Sequence, residues 1–252
     1  MIFYFSGTGN SLQVAQKLAT ALRETLFDMT SGEPIPQFGK YERVGFVFPV
    51  YAWGLPRVVE SFVKQLPMGS DQYYVYGVFT CGDDVGYTDW LLRKALRKKG
   101  WCLNAAYSVQ MRNTYVCLPG FDVDALKVSV KKQVGEILRV PHIAEYVAAY
   151  AKGSSKELTR GTAAWLKSYV LRPLFNHFLI SDKRFWTQRD ACTKCGRCVK
   201  LCPLQNISFN NEGVVEWKGH CTHCLRCYHA CPRHAINYGK FTRNKGQVKI
   251  NV

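Results

Sequence analysis

The segment Ile2-Phe3-Tyr4-Phe5-Ser6-Gly7-Thr8-Gly9-Asn10-Ser11 predicts a strand that runs directly into a glycine-rich turn. Periodic apolar residues over 12–22 predict an amphipathic helix after the turn. Small residues between a strand and a helix let backbone N–H groups and hydroxyls surround an anion, and the helix N-terminus adds partial positive charge. We therefore predict a phosphate site, with a plain tight turn as the alternative. It is formed by Ser6, Gly7, Thr8, Gly9, Asn10 and Ser11.

Two further loops follow predicted strands in the first half of the chain. One follows a strand over 44–48 and contains Tyr51 and Trp53 between two prolines, and the other follows a strand over 73–79. The carboxyl ends of parallel strands meet at one edge of a doubly wound sheet, where nucleotides bind. Aromatic side chains there suit a planar ring, although both could instead be core anchors. The predicted ring-binding residues are Pro49, Val50, Tyr51, Ala52, Trp53, Gly54, Thr80, Cys81, Gly82 and Asp83.

Alternating strands and helices continue to about residue 151. Helices are predicted over 55–66, 87–99 and 122–151, and a strand is predicted over 101–111. Five short strands in this pattern predict an α/β fold with a doubly wound parallel sheet in the order 2-1-3-4-5. Residues 112–115 follow the last strand at the same edge, so they are further candidates for contact with the ring, with a solvated loop as the alternative.

Eight of the eleven cysteines form two copies of one pattern, Cys-x-x-Cys-x-x-Cys-x-x-x-Cys-Pro, at 192–203 and 221–232. Three closely spaced thiolates suit three irons of one [4Fe–4S] cube, and the fourth cysteine of each run ligates the other cube. Zinc sites do not need a third cysteine at this spacing, and disulfide frameworks suit secreted chains, so both are weaker alternatives. The predicted ligands are Cys192, Cys195, Cys198 and Cys231 for cluster 1 and Cys221, Cys224, Cys227 and Cys202 for cluster 2.

These motifs carry resemblances to two families. Residues 188–240 closely resemble a bacterial two-cluster ferredoxin, which implies a small α+β domain. The turn at 6–11 and the loop Pro-Val-Tyr-Ala-Trp-Gly at 49–54 resemble the flavodoxin family. That resemblance implies FMN, with its phosphate on 6–11 and its isoalloxazine against 49–54 and 80–84. The whole chain is similar to flavodoxin–ferredoxin fusion proteins of anaerobic bacteria and archaea. The chain differs from the flavodoxin pattern at 81–86, where many flavodoxins have an acidic loop with an aromatic residue.

We predict three parts: a flavodoxin-like FMN-binding domain over 1–151, a helical connector over 152–187 and a ferredoxin-like domain over 188–252. Glycine and serine at 153–155 mark the first break. The apolar stretch 163–180 is interrupted by polar and charged residues, so it is not a transmembrane helix. Ser168, Arg172 and Asn176 form a polar stripe at helical spacing, and the apolar face is expected to dock the two domains together. Peripheral contact with a membrane remains the alternative.

The net charge of the chain is +16, and residues 151–252 contribute +13 of it, from 18 Lys and Arg against 5 Asp and Glu. An acidic redox partner protein would complement this charge. Specific binding to nucleic acid is not expected, because the basic residues are dispersed along the chain. A homodimer is a further possible assembly.

The resulting expectation is a cytoplasmic carrier of anaerobic metabolism that moves electrons between FMN and two [4Fe–4S] clusters, coupling one-electron and two-electron redox partners. The cytoplasmic assignment rests on the lack of a secretory signal. No catalytic residue is predicted, because these loops contain no convincing acid–base pair beyond Asp83 and Asp84, which are interpreted as part of a solvated turn. An FMN-dependent reductase of a small organic substrate, fed by the clusters, is the alternative.

Overall fold

The computed structural model describes residues 1–39, 43–153 and 157–250. Its strands in the first half are β1 (Ile2–Tyr4), β2 (Leu26–Asp28), β3 (Arg43–Pro49), β4 (Tyr74–Cys81) and β5 (Leu103–Gln110). The helices are α1 (Asn10–Leu22), α2 (Arg57–Gln65), α3 (Thr88–Arg97) and α4 (Leu126–Ala148). The strands form one parallel sheet in the order β2-β1-β3-β4-β5. The predicted doubly wound order is confirmed.

The sheet is covered by helices on both faces, because its strands send apolar side chains alternately to either side. In β3, Phe46 and Phe48 pack on the side of α2 and α3, whereas Val47 packs on the side of α1 and α4. All three side chains are fully buried. Near-continuous apolar strands of this kind are typical of a parallel sheet between two helical layers. The loops that follow β1, β3 and β4 therefore leave the sheet at one edge.

Two elements differ from the prediction. The strand β2 has only three residues, too few for a sequence pattern to give its bounds, although the predicted order required it. The helix α4 begins at Leu126 instead of residue 122, because the carboxylates before it bind distant backbone. Asp124 accepts a hydrogen bond from the Asn113 amide over 2.9 Å, and Asp122 accepts one from the Gly246 amide over 3.0 Å. These contacts hold the residues before α4 outside the helix.

The connector is built from α5 (Ala164–Leu166), a π-helical turn (Lys167–Leu171) and α6 (Arg172–Phe178). Pro173 lies in the first turn of α6, where a missing N–H is tolerated. The side of the helix that faces the protein is the polar one. Ser168 Oγ donates to the Trp53 carbonyl over 2.9 Å, and Arg172 Nη2 donates to the Leu55 carbonyl over 2.9 Å. The expectation that the apolar face docks the domains is therefore wrong.

The C-terminal part contains two short antiparallel pairs, β6 (Phe185–Thr187) with β9 (Ile236–Tyr238) and β7 (Ile207–Phe209) with β8 (Val215–Trp217). Two short helices, α7 (Arg197–Lys200) and α8 (Arg226–Ala230), contain the third cysteine of each run. Positive φ angles recur 29 residues apart, at 194 and 223, at 196 and 225, and at 205 and 234. The two cysteine runs thus follow the same backbone path, as a duplicated unit would.

None of the helices within the described ranges is both long enough and apolar enough to cross a bilayer. The domain boundaries at 151 and 187 stay a prediction. Ser154 and Ser155, at the predicted first break, lie outside the described residues.

Candidate functional site

The predicted phosphate loop joins β1 to α1 and is lined by buried hydroxyls. Ser6, Thr8 and Ser11 are each less than 8% exposed. Gly9 has φ of 102°, a left-handed conformation that suits glycine, and its amide donates to Ser6 Oγ over 3.1 Å. No side chain caps the N-terminus of α1, and no acidic residue lies in its first turn. The amides and hydroxyls therefore form a cradle of anion-binding type.

Gly7 is the point where this loop meets the C-terminal part of the chain. A Cβ atom at Gly7 would lie 2.7 Å from the Tyr51 hydroxyl oxygen and 3.0 Å from Cβ of Cys224. A side chain at this position would therefore force Tyr51 or Cys224 to move. The phosphate loop, the aromatic loop and the second cysteine run are thus packed together at one glycine.

The aromatic loop is a tight turn in which Tyr51 and Gly54 exchange backbone hydrogen bonds of 3.0 and 3.1 Å. Ala52 and Trp53 between them both have positive φ, at 45° and 59°, which is costly for residues with side chains. Tyr51 packs edge-on against Phe5, and burial raises the pKa of its hydroxyl well above the usual range. Tyr51 therefore packs against the core, while it also lines the cavity described below.

The third loop continues β4 and is tied to its neighbours on both sides. Thr80 Oγ1 lies 2.7 Å from Ser11 Oγ, so the third loop contacts the phosphate loop directly. A Cβ atom at Gly82 would lie 1.6 Å from Asn113 Oδ1, so residues 112–115 close against this loop. Cys81 is buried, and burial raises the pKa of its thiol to about 12, which leaves it protonated at neutral pH.

The three loops enclose one cavity of about 380 Å³. All of the predicted phosphate-binding and ring-binding residues line it except Gly9 and Gly54. Gly9 shapes the loop backbone, and Gly54 lies under the side chain of Arg172. Residues 112–115 line the cavity as well. Its volume falls within the range of small-molecule and cofactor sites in proteins.

Sequence reasoning missed the residues that cover this cavity. Lys167, Phe175 and Ile180 of the connector line it, and so do residues 222–225 of the second cysteine run. Their spacing in the sequence gives no signal of this, because each is distant from the loops in the chain. Two cavity residues carry buried polar atoms without a hydrogen-bond partner among the described residues, Thr222 Oγ1 and His223 Nδ1.

The eight motif cysteines surround two small hollows in the predicted groups. Cys192, Cys195, Cys198 and Cys231 line one hollow, and every residue around it comes from 192–236. Cys202, Cys221, Cys224 and Cys227 line the other. Within the described ranges, no group of His, Cys, Asp or Glu is placed to hold a single metal ion. A cube takes one thiolate at each iron, so its ligands need not converge on one point.

Backbone amides point at several of these sulfurs. The amides of Asn206 and Ala235 donate to Cys202 and Cys231 over 3.3 and 3.2 Å, and the His223 amide donates to Cys221 over 3.3 Å. Such hydrogen bonds stabilise thiolate ligands. Burial raises the pKa of the Cys221 thiol to about 12 and that of Cys227 well above its usual range. Metal binding would therefore displace protons from these thiols.

Comparison with known families supports both halves of this description. The flavodoxin domain model matches residues 1–101, and a 4Fe-4S dicluster domain model matches residues 184–232. The chain joins a flavodoxin domain to a 4Fe-4S dicluster domain. A flavodoxin domain implies FMN, and a dicluster domain implies iron–sulfur clusters. The glycine cradle, the cavity volume and the two four-cysteine hollows fit these groups. Together, the two domains support electron transfer through flavin and iron–sulfur groups.

Individual relatives match only part of the protein. An uncharacterized polyferredoxin-like protein of Methanocaldococcus jannaschii is 31% identical over 48 residues, which are 19% of this chain and 29% of that protein. The chain thus spans under a third of that relative. The Trp repressor binding protein of Bacillus subtilis is 13% identical, with a TM-score of 0.37, over 60% of this chain and 98% of that one. An azoreductase of Bacillus anthracis is 7% identical, with a TM-score of 0.40, over 59% and 98%. Likenesses at this level carry no argument about function.

Proposed function

We propose that the protein couples a two-electron redox partner to one-electron partners. The observation that carries this proposal is that Cys224 lines both the flavin cavity and the second cysteine hollow. When bound, FMN exchanges one or two electrons, and each cluster exchanges one. The task of the chain is to hold these groups side by side and to exclude water from between them.

The phosphate loop supplies the binding end of the flavin site. The hydroxyls of Ser6, Thr8 and Ser11 and the backbone amides at the start of α1, which no side chain caps, are its anion-binding groups. Gly7 lets the backbone of this loop approach the second cysteine run without a side chain between them. Phosphate binding and contact with the iron–sulfur domain thus depend on the same short segment.

The two cysteine hollows have different surroundings, so they can be ordered along the proposed electron path. The second hollow adjoins the flavin cavity through Cys224. The first is enclosed by residues 192–236 alone, and its Cys195 is exposed. We therefore assign the first group of cysteines to the outer end of the path and the second group to the flavin end.

The surface around the first hollow is basic. Lys194, Arg197 and Arg233 line the hollow and are exposed, and Arg189 and Lys200 lie nearby in sequence and are exposed as well. Within the described part of the chain, no ion pair includes any of these five side chains. An acidic one-electron carrier would complement this surface and would be steered toward it at low salt.

The cover over the flavin cavity favours one second candidate, an FMN-dependent reductase. Apolar residues beyond the three flavin loops, Tyr115, Leu118, Phe121, Phe175 and Ile180, extend the cavity wall. A small organic molecule could rest against such a wall. The same cover also suits a carrier whose electrons leave through the clusters instead of through the exposed ring. Turnover measurements separate the two.

The test uses anaerobically prepared protein with its flavin and clusters loaded. A one-electron donor is mixed rapidly with the protein, and cluster and flavin absorbance are followed together. We expect the flavin to be reduced after the clusters, at a first-order rate that does not change with protein concentration. A rate proportional to protein concentration would mean transfer between molecules and would contradict the proposed path. Steady reduction of a small organic acceptor, without any partner protein, would favour the reductase.

A further inference from the structure

The connector helix is oriented differently from an ordinary surface helix, which buries its apolar side. Its polar side chains face the protein: Ser168 is 2% exposed and Arg172 is 9% exposed. Ser168 Oγ also accepts a hydrogen bond from the Tyr87 amide over 2.8 Å, and Lys167 pairs with Asp84 over 2.7 Å. These contacts fix the rotation of the helix about its axis. Phe175 and Ile180 line the flavin cavity, and most of the other large apolar side chains of the helix are exposed.

The outward side carries a continuous set of large apolar side chains. Trp165 is 62% exposed, Leu174 is 50% exposed and Phe178 is 67% exposed, and Leu166 and Tyr169 between them are also exposed. This set, which we call the connector face, contains no charged residue. Apolar patches of this kind on a folded surface mark contact with another protein or with a membrane.

The charges around the connector face indicate which of these it contacts. From residue 159 to residue 181 the sequence has no Asp or Glu. Exposed cations lie at the end of the helix: Arg57 donates to the Asn176 carbonyl, and Lys183 and Arg184 follow α6. A second copy of a chain with a net charge of +16 would be repelled, whereas an anionic surface would be attracted.

We infer that the connector face lies in the headgroup region of an anionic lipid surface, with the helix parallel to the membrane plane. Trp165 and Tyr169 have the amphipathic rings that favour this region, and Leu174 and Phe178 supply apolar area. Arg57, Lys183 and Arg184 contact the anionic headgroups. This inference goes beyond electron transfer and does not depend on it. It places the covered side of the flavin cavity toward the membrane, because the connector lines that cavity.

The test measures co-flotation of the loaded protein with vesicles. One set contains phosphatidylcholine alone, and the other contains phosphatidylcholine with phosphatidylglycerol as the anionic lipid. We expect binding only to the anionic vesicles, and we expect high salt to weaken it. Leu174→Gln combined with Phe178→Gln should weaken binding by roughly tenfold or more, since both side chains lose their apolar contact. Lys183→Glu combined with Arg184→Glu should weaken binding to anionic vesicles to a similar degree.

The matched control is Ile137→Gln combined with Leu138→Gln in α4. These side chains are 57% and 71% exposed, but α4 covers the opposite face of the sheet from α2 and α3, where the connector docks. The control should bind vesicles as the natural protein does, and all variants should keep their flavin and iron content. Equal binding by the connector variant and the natural protein would overturn the inference. A dimer in sedimentation that Leu174→Gln with Phe178→Gln converts to a monomer would assign the face to a second copy instead.

Discussion

The guanidinium of Arg226 donates a hydrogen bond from Nε to the backbone carbonyl oxygen of Gly7 over 2.6 Å. Arg226 lies between Cys224 and Cys227 in the second cysteine run, whereas Gly7 lies in the phosphate loop at the other end of the chain. Its Nη2 also donates to the Ser6 carbonyl. One side chain therefore fixes the second cysteine run against the flavin site.

Arg226→Leu should lower the free energy of unfolding by about 1.5–3 kcal/mol, because the carbonyls of Ser6 and Gly7 lose a charged donor. Denaturant unfolding of the anaerobic holoprotein, followed by flavin fluorescence, measures this. Arg226→Lys is the matched control. It keeps the charge and can donate to one carbonyl, so its free energy of unfolding should fall by less than that of the leucine variant. Unchanged stability in the leucine variant would show that the contact contributes nothing.

Gly7→Ala should destabilise the protein by about 1–3 kcal/mol and weaken retention of FMN, because the new methyl group meets Tyr51 and Cys224 at 3.0 Å or less. Gly135→Ala in α4 is the control. A Cβ atom there meets nothing within 4 Å, so the change should stabilise the helix by about 0.5–1 kcal/mol. Thermal unfolding and flavin content of both variants give the comparison. Similar changes in unfolding temperature for the Gly7 and Gly135 variants would contradict the packing described at Gly7.

The sequence was sufficient for features that depend on neighbouring residues, and insufficient for contacts between distant ones. A nearly continuous run of apolar residues, including Phe46 and Val47, predicts the strand, and the cysteine spacing predicts which cysteines surround each hollow. The position of Arg226 against Gly7 depends on how two segments that are distant in the chain pack together, and no local sequence pattern predicts that packing. The polar stripe at Ser168 and Arg172 was visible, but the stripe alone does not say whether it faces water or protein. The stripe faces the protein because Ser168 and Arg172 donate hydrogen bonds to the loop carbonyls of Trp53 and Leu55.

Thr8→Ala should weaken FMN binding by about 1.5–3 kcal/mol, because a buried hydroxyl is lost beside a charged acceptor. Thr20→Ala in α1 is the control, since that hydroxyl is exposed and donates to the Gln16 carbonyl within its own helix. Titration of the flavin-depleted protein with FMN, followed by fluorescence quenching, measures both affinities. Equal FMN affinities in the Thr8 and Thr20 variants would mean that the phosphate does not bind at this loop.

Cys202→Ser should damage the second cluster and spare the first, because Cys202 lines the hollow formed by Cys221, Cys224 and Cys227. Cys231→Ser is the reciprocal variant and should damage the first cluster. Iron and sulfide analysis with electron paramagnetic resonance of the reduced protein distinguishes them, since each variant should keep about half of the natural iron content. If Cys202→Ser lost the first cluster instead, the ligands would not cross between the repeats.

Lys194→Glu combined with Arg197→Glu should slow reduction of the clusters by a small acidic ferredoxin roughly tenfold at low salt, because both cations border the outer hollow. The effect should shrink as salt is added, since exposed charges are screened. Lys94→Glu in α3, combined with Lys98→Glu directly after α3, makes the same change in net charge at residues that line neither cysteine hollow, and should slow the reaction much less. Reduction by dithionite serves as a second control and should be equal in all three proteins. Equal slowing by both charge reversals would mean that net charge alone attracts the acidic donor, and the outer hollow would no longer be its docking site.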